Sequence, residues 1–352
     1  MSGGAVSRSP AHTAVLRLPG GRTLLVQRRT QRANLLLALL LAAAAVMALS
    51  LGSTVVAPHD AVTALFGGGD AVTRFLIQAL RGPRLLAGIL TGTAFAVAGC
   101  LMQTLAHNRL ATPGIIGIDN GATAFAVASV LGVGIAVAPP AMALVGAATA
   151  TALAFGLAGG TGTRGYRFIV AGIAIGALFG AVTQLMLARV AIDAANQAYP
   201  WTVGTLNARS ADAVWVLGAG VAVGLPAALA LARTLTVMRL SDFTAQGLGV
   251  RVRACRWLSL AVAVLLTALA VAVAGPVGLV GLVGPEIARH LSAPASVPVV
   301  GAALAGALVM VLADLAGRLL LAPIEIPVGI VTAVVGGPYL LWILLRASRM
   351  TP

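Results

Sequence analysis

The side chains that could move protons or hold metals are few and far apart. The chain has 352 residues but only nine acidic groups, four histidines and two cysteines. His12, His59, His107 and His290 fall at unrelated positions, so no metal-ligand spacing is present. Cys100 lies inside an apolar run and Cys255 beside the start of another, with no CxxC, which gives no disulfide framework. No nucleophile–base pair stands out, which argues against a membrane-embedded enzyme. Two acids have arginines at helical spacing: Glu286 with Arg289 at i,i+3, and Asp314 with Arg318 at i,i+4. Acid before base is the favourable order, and such pairs neutralise themselves at a helix end. A proton relay needs ionisable groups in series through the membrane, and the middle of the chain is nearly empty of them. That counts against the proton-driven form of a rival class, the ion-coupled secondary transporter. Gln103, Asn108, Asn120, Thr123 and Gln184 interrupt apolar stretches. At that depth they face protein or water, either as interhelical hydrogen bonds or as the lining of a substrate path.

The surroundings of these residues are those of a bilayer. Hydrophobic residues make up 59% and charged residues 9%, against roughly 25% charged in soluble domains. Mean hydropathy is +1.01. The net charge of +14 is carried by arginines dispersed over the loops, without the aromatic–basic patch that binds nucleic acid. The sequence reads as an all-α polytopic membrane protein of about ten transmembrane helices.

The predicted spans are Leu35–Val56, Leu85–Leu105, Ile115–Ala138, Ala141–Leu157, Phe168–Val190, Ala213–Leu235, Trp257–Gly275, Val277–His290, Val297–Leu319 and Val328–Leu345. Residues 1–33 form a basic tail expected to be partly disordered, and 34–352 a single transmembrane domain. The eighth span is short and carries Gly278, Gly281, Gly284 and Pro285, which is tolerated only inside protein or beside water. With both termini cytoplasmic, the outer side keeps only Arg74, Arg81, Arg84, Arg189, Arg209 and Arg318, as the positive-inside rule prefers. Glycines at small-xxx-small spacing, such as Gly88 with Gly92 and Gly172 with Gly176 and Gly180, predict close helix packing.

Two segments point beyond the bilayer. Arg81-Gly82-Pro83-Arg84 opens the second span on the outer side, against the charge bias. It suits an acidic partner, an anionic substrate or lipid headgroups. At about 236–255 a connector carries Leu240-Ser241-Asp242-Phe243-Thr244-Ala245-Gln246-Gly247-Leu248-Gly249-Val250. No GxxxxGK[ST] stretch occurs, so any ATPase is a separate chain.

These segments carry a resemblance that covers about 35–346. Arg81-Gly82-Pro83-Arg84 leads to Gly99 and Gln103. His107-Asn108-Arg109-Leu110-Ala111-Thr112-Pro113-Gly114-Ile115-Ile116-Gly117-Ile118 follows, then the connector. Gly275-Pro276-Val277-Gly278 runs on to Gly284-Pro285-Glu286-Ile287-Ala288-Arg289, with Asp314, Arg318 and Glu325-Ile326-Pro327 beyond. In this order they resemble the FecCD-type permeases of bacterial ABC importers, with a BtuC-like fold. Arg109 stands where the family usually has Pro, and Glu286 where it often has His or Gln.

The resemblance implies a multi-pass protein of the bacterial cytoplasmic membrane that pairs with a similar permease as a homodimer or heterodimer. Two cytoplasmic ATPases, which would hold ATP and Mg, grip its coupling helices, and an extracytoplasmic binding protein delivers cargo. The chain itself would bind no cofactor. It implies ATPase coupling for Asp242, Ala245, Leu248 and Gly249, and binding-protein docking for Arg81, Arg84 and Arg318. It makes Gln103, Asn108, Asn120 and Gln184 candidates for the path. The cargo implied is an iron–siderophore complex, with haem or cobalamin as alternatives.

Overall fold

The computed structural model of the chain describes residues 13–17, 23–133, 137–158, 166–207, 209–293 and 296–348. Two short strands, β1 (Thr13–Arg17) and β2 (Thr23–Gln27), pair antiparallel with Val15 opposite Leu25. They lie within the tail expected to be partly disordered. Apolar and β-branched residues on both sides of Pro19-Gly20-Gly21 make a hairpin sequence that the arginine content masks.

Helix α1 (Arg28–Ser50) starts earlier than the predicted Leu35, so Arg29 and Arg32 are helical. After it come α2 (Pro58–Leu65), α3 (Ala71–Phe75) and a π-helical turn, Leu76–Arg81, that feeds α4 (Gly82–Leu105). A 3-10 turn at Pro113–Ile116 precedes α5 (Ile118–Val130), α6 (Pro139–Leu157) and α7 (Tyr166–Ala188). Short helices α8 (Ile192–Ala198) and α9 (Pro200–Val203) lead to α10 (Ala211–Met238). The connector contains α11 (Asp242–Gly247), and α12 (Val252–Ala274), α13 (Val280–Leu291), α14 (Val299–Leu319) and α15 (Val328–Ser348) complete the chain.

Each of the predicted spans contains a helix. Among the described residues, 7 helical stretches are long and apolar enough to cross a membrane. Helices α5 and α13 have only 13 and 12 residues. At about 1.5 Å per residue they are too short for a hydrocarbon core of about 30 Å.

Helix α4 is the centre of the bundle, packed on α10, α12, α13 and α14. Over the most apolar part of the stretch ending in α4, 78% is buried, against 28% for α6 and α10, which belong to the periphery. The small residues set the spacing. A Cβ on Gly92 would run into the Gly306 carbonyl of α14, and one on Gly99 into the Gly281 carbonyl of α13. Without a hydrophobic force between helices in lipid, such backbone proximity is the main source of attraction.

Replacing Gly99 with Leu is expected to force α4 and α13 apart, at the roughly 1–3 kcal/mol or more typical of overpacking. Thermal unfolding of the detergent-solubilised protein would register it as a lower midpoint. Gly88→Ala, whose new methyl would meet the ends of the Leu206 and Val311 side chains at 3.3 and 3.7 Å, is the control and should melt like the parent. Equal midpoints for both variants would remove close packing as the reason for Gly99.

Candidate functional site

Pro285 lies inside α13 and has no N–H to give the carbonyl of Gly281, four residues earlier. Gln103 of α4 supplies the missing donor: its Nε2 donates to the Gly281 carbonyl at 3.2 Å. Its Oε1 accepts from Arg289 Nη2 at 2.6 Å, and the same guanidinium reaches Glu286 Oε2 at 2.5 Å. Glu286 is 3% exposed and is also approached by Arg109 Nη1 at 3.5 Å. The two positions where the sequence departs from the family pattern therefore face each other. Gln103, a candidate for the path, is a buried bridge between α4 and α13. Asn108 caps its own turn, accepting from Leu110 N at 2.9 Å, and is exposed. Beside this network is a cavity of about 210 Å³ lined by Gln103, His107, Arg109, Arg239 and Arg289.

Asn120 and Gln184 lie along one face of α7. Asn120 Nδ2 donates to the Gly176 carbonyl at 2.9 Å, and Gly176, Gly180 and Gln184 repeat every four residues, which puts them in line. Both polar side chains are exposed. Gly117, at φ +81°, lets the 3-10 turn settle onto Gly172 and Gly176. Asp119, in the first turn of α5, was not singled out by sequence. Its Oδ1 is buried without a hydrogen-bond partner among the described residues. A carboxylate in a helix's first turn is favoured by the helix dipole, which is why it passes as an ordinary cap in sequence.

The same end of the bundle as the Gln103 network carries α11. Ser241 caps it, its Oγ accepting from Thr244 N at 3.0 Å. Asp242 pairs with Arg256 at 2.5 Å, Ala245 is fully buried, and Gly249 turns the chain at φ +81°. Those three anchor the connector, whereas Leu248 projects from it, 67% exposed. Leu240 and Phe243 project further, at 74% and 88%. The signal for them was present: Phe243 has no apolar residue at i+3 or i+4 with which to form a buried stripe.

At the opposite end, Arg81 is 7% exposed and turned inward. Its Nη1 donates to the Leu49 and Ser50 carbonyls at 2.6 and 3.1 Å, and its Nη2 to the Thr54 carbonyl at 2.6 Å. Arg318 donates to the Ala48 and Leu51 carbonyls and pairs with Asp314 at 3.2 Å. Both therefore cap the C-terminus of α1, which has no basic residue in its own last turn. Arg84 lies between Asp314 at 2.9 Å and Glu325 at 3.0 Å. The sequence could show that arginines collect at this end, but not that carbonyls and carboxylates of the same chain already engage them.

A bundle of apolar helices with a short proline-containing helix packed at its centre and a helical connector is the architecture of a multi-pass membrane protein. The FecCD transport family model matches residues 39–346, and the chain belongs to that family. It is 36% identical over 318 residues to the achromobactin transport system permease protein of Dickeya dadantii, covering 88% of this chain and 90% of the relative. It is 35% identical over 331 residues to an Fe(3+)-citrate import system permease protein of Bacillus subtilis, covering 92% and 97%. The fold matches an inward-facing metal-chelate type ABC transporter at a TM-score of 0.77, with 24% identity over 90% of this chain and 99% of that one. The chain is thus a multi-pass transport permease of the cytoplasmic membrane.

Gln103→Leu leaves a buried carbonyl without its donor, an effect of about 1–3 kcal/mol. Pro285→Ala restores the helical N–H, so in the Gln103→Leu, Pro285→Ala double variant the loss should shrink. Chemical unfolding in detergent of the parent, both single variants and the double variant measures the coupling. Strictly additive effects would show that Gln103 does not stand in for the proline's missing donor.

Proposed function

We propose that the chain forms one half of an ATP-driven importer for a ferric siderophore or a similar ferric chelate. It would pair with a second permease of the same type, identical or related, to enclose the path. Both termini and α11 would face the cytoplasm, where two ATPases carrying ATP and Mg would press on the connector. A binding protein would deliver cargo at the other end. Haem and cobalamin remain the alternative cargoes.

The observation that carries the reading is the different construction of the two ends. One end presents Leu240, Phe243 and Leu248 on a short helix anchored by Asp242, Ala245 and Gly249. That is a rigid apolar knob suited to a cleft in a motor, because few side chains need ordering when it docks. The other end is a cationic rim. There Arg81, Arg84 and Arg318 would serve docking by fixing the rim's shape. Any carboxylate of the binding protein would compete with Asp314 and Glu325 for Arg84. The exposed Asn120 and Gln184 on the α7 face are the residues best placed to line the path, with the buried Gln103 and the turn-capping Asn108 nearer its α11 end. The chain's own role is passage, and the energy comes from its partners.

Phe243→Asp together with Leu248→Asp should leave the protein in the membrane and the ATPases active but cut ATP-dependent uptake at least roughly tenfold, as expected for losing the anchors of an interface. The assay is uptake of radioactive iron chelates and haem into vesicles holding the complete complex, with and without ATP. Uptake driven by an ion gradient alone, indifferent to ATP and to both substitutions, would overturn the importer reading in favour of a secondary transporter.

A further inference from the structure

The end of the bundle opposite α11 contains a cleft of about 450 Å³, within the size range of small-ligand sites. Arg81, Arg84, Arg209, Arg318 and one carboxylate, Glu325, contribute to its wall. Three of these arginines are engaged: Arg81 by backbone carbonyls, Arg84 by Asp314 and Glu325, Arg318 by Asp314 and the end of α1.

Arg209 differs from them. Its Nε donates to the Thr205 carbonyl at 3.1 Å, and its guanidinium lies 4.4 Å from the centre of the Trp201 ring. Its Nη2 is buried and meets no acceptor, and among the described residues no carboxylate pairs with it. Its platform is fixed, since Thr205 N donates to the Ala274 carbonyl at 2.7 Å and Leu206 is 1% exposed. Burial pushes its pKa down to about 10, which still leaves it charged at neutral pH. A partly buried cation with five donors and one acceptor is costly until an anion completes it. Stacking on Trp201 offsets part of that cost and leaves the remaining donors to a ligand.

We infer that this cleft is a subsite for the carboxylate groups of an anionic ferric chelate, with Arg209 as the cation that meets them. The cleft admits a small chelate beside Arg209, and a carboxylate side chain of the binding protein is the competing occupant that the test distinguishes. The inference rests on the reading of the chain as a chelate permease and narrows its cargo to carboxylate-bearing complexes.

The test is equilibrium dialysis on the purified complex in lipid nanodiscs, without ATP. The probes are radioactive ferric citrate and a ferric trihydroxamate, which has no carboxylates. The parent should prefer ferric citrate, and that preference should fall as salt rises. Arg209→Gln should weaken citrate binding roughly tenfold or more, as for loss of a charge-assisted hydrogen bond, while Arg209→Lys keeps most of it. Equal citrate binding by a folded Arg209→Gln variant would overturn the proposal, as would equal binding of the two chelates by the parent. Weakened binding-protein docking in Arg209→Gln with citrate binding unchanged would also overturn it and assign the side chain to the protein partner. If that variant does not fold, the chelate preference and its salt dependence in the parent decide the matter. Absence of ATP-driven uptake of any chelate by the parent would remove the importer reading instead, and the dialysis would still decide the subsite.

Discussion

A backbone carbonyl without a donor cannot be left in an apolar bundle, and much of this protein's polar chemistry answers that constraint. Away from water each such group costs several kcal/mol. Pro285 creates one at Gly281 in the middle of α13, and Gln103 reaches across from α4 to satisfy it. The C-terminus of α1 exposes others, which Arg81 in the π-helical turn before α4 and Arg318 of α14 take up. The C-terminus of α13 exposes more, and Arg29 of α1 donates to the His290 and Leu291 carbonyls at 3.2 Å. Each solution joins two helices, so satisfying a backbone group and fixing the tertiary arrangement are one event.

This economy has a mechanical consequence. The glycines that let α4, α13 and α14 touch along their backbones make the centre stiff. Around it, α6, α7 and α10 keep most of their surface outside the core. A displacement at α11 enters α12 through the Asp242–Arg256 pair, and α12 lies directly on α4. Within the same central group, Gln103, Arg289, Glu286 and Arg109 link α4 and α13 to the loop after α4. Contiguous packing with few soft joints is what a force applied at one end needs if it is to be felt at the other.

How much of this was legible depended on the range of the interaction. The long helices followed from apolar run length, and the 12-residue α13 was visible as a glycine- and proline-broken run. The pairs Glu286–Arg289 and Asp314–Arg318 are local and could be read from spacing alone. Arg81 could not be read in this way. Its side chain is committed to carbonyls about 30 positions earlier in the chain, and nothing in Leu80-Arg81-Gly82-Pro83 indicates which way the guanidinium turns. Gln103 presented the same difficulty: a polar residue in an apolar run is consistent with a path or a bridge, and only the position of Pro285 on the neighbouring helix shows which carbonyl it serves. Phe243 was passed over because Asp242, Thr244 and Gln246 make the segment look like an ordinary polar connector.

The choice of arginine over lysine fits the same constraint. All 23 basic residues are arginine. A planar guanidinium can hold two or three oxygens at fixed angles, as Arg81 does with Leu49, Ser50 and Thr54. An ammonium is a point donor with a stronger hold on its water, and it would grip such a set less well. Where a guanidinium is fully engaged, its charge is part of the scaffold and is hidden from anything passing by. Where it is not, as at Arg209, the same chemistry is open to an incoming anion. On the reading proposed above, donors left unused beside an open cleft, as at Arg209, mark where an anion can be met, and position on the outer rim alone does not.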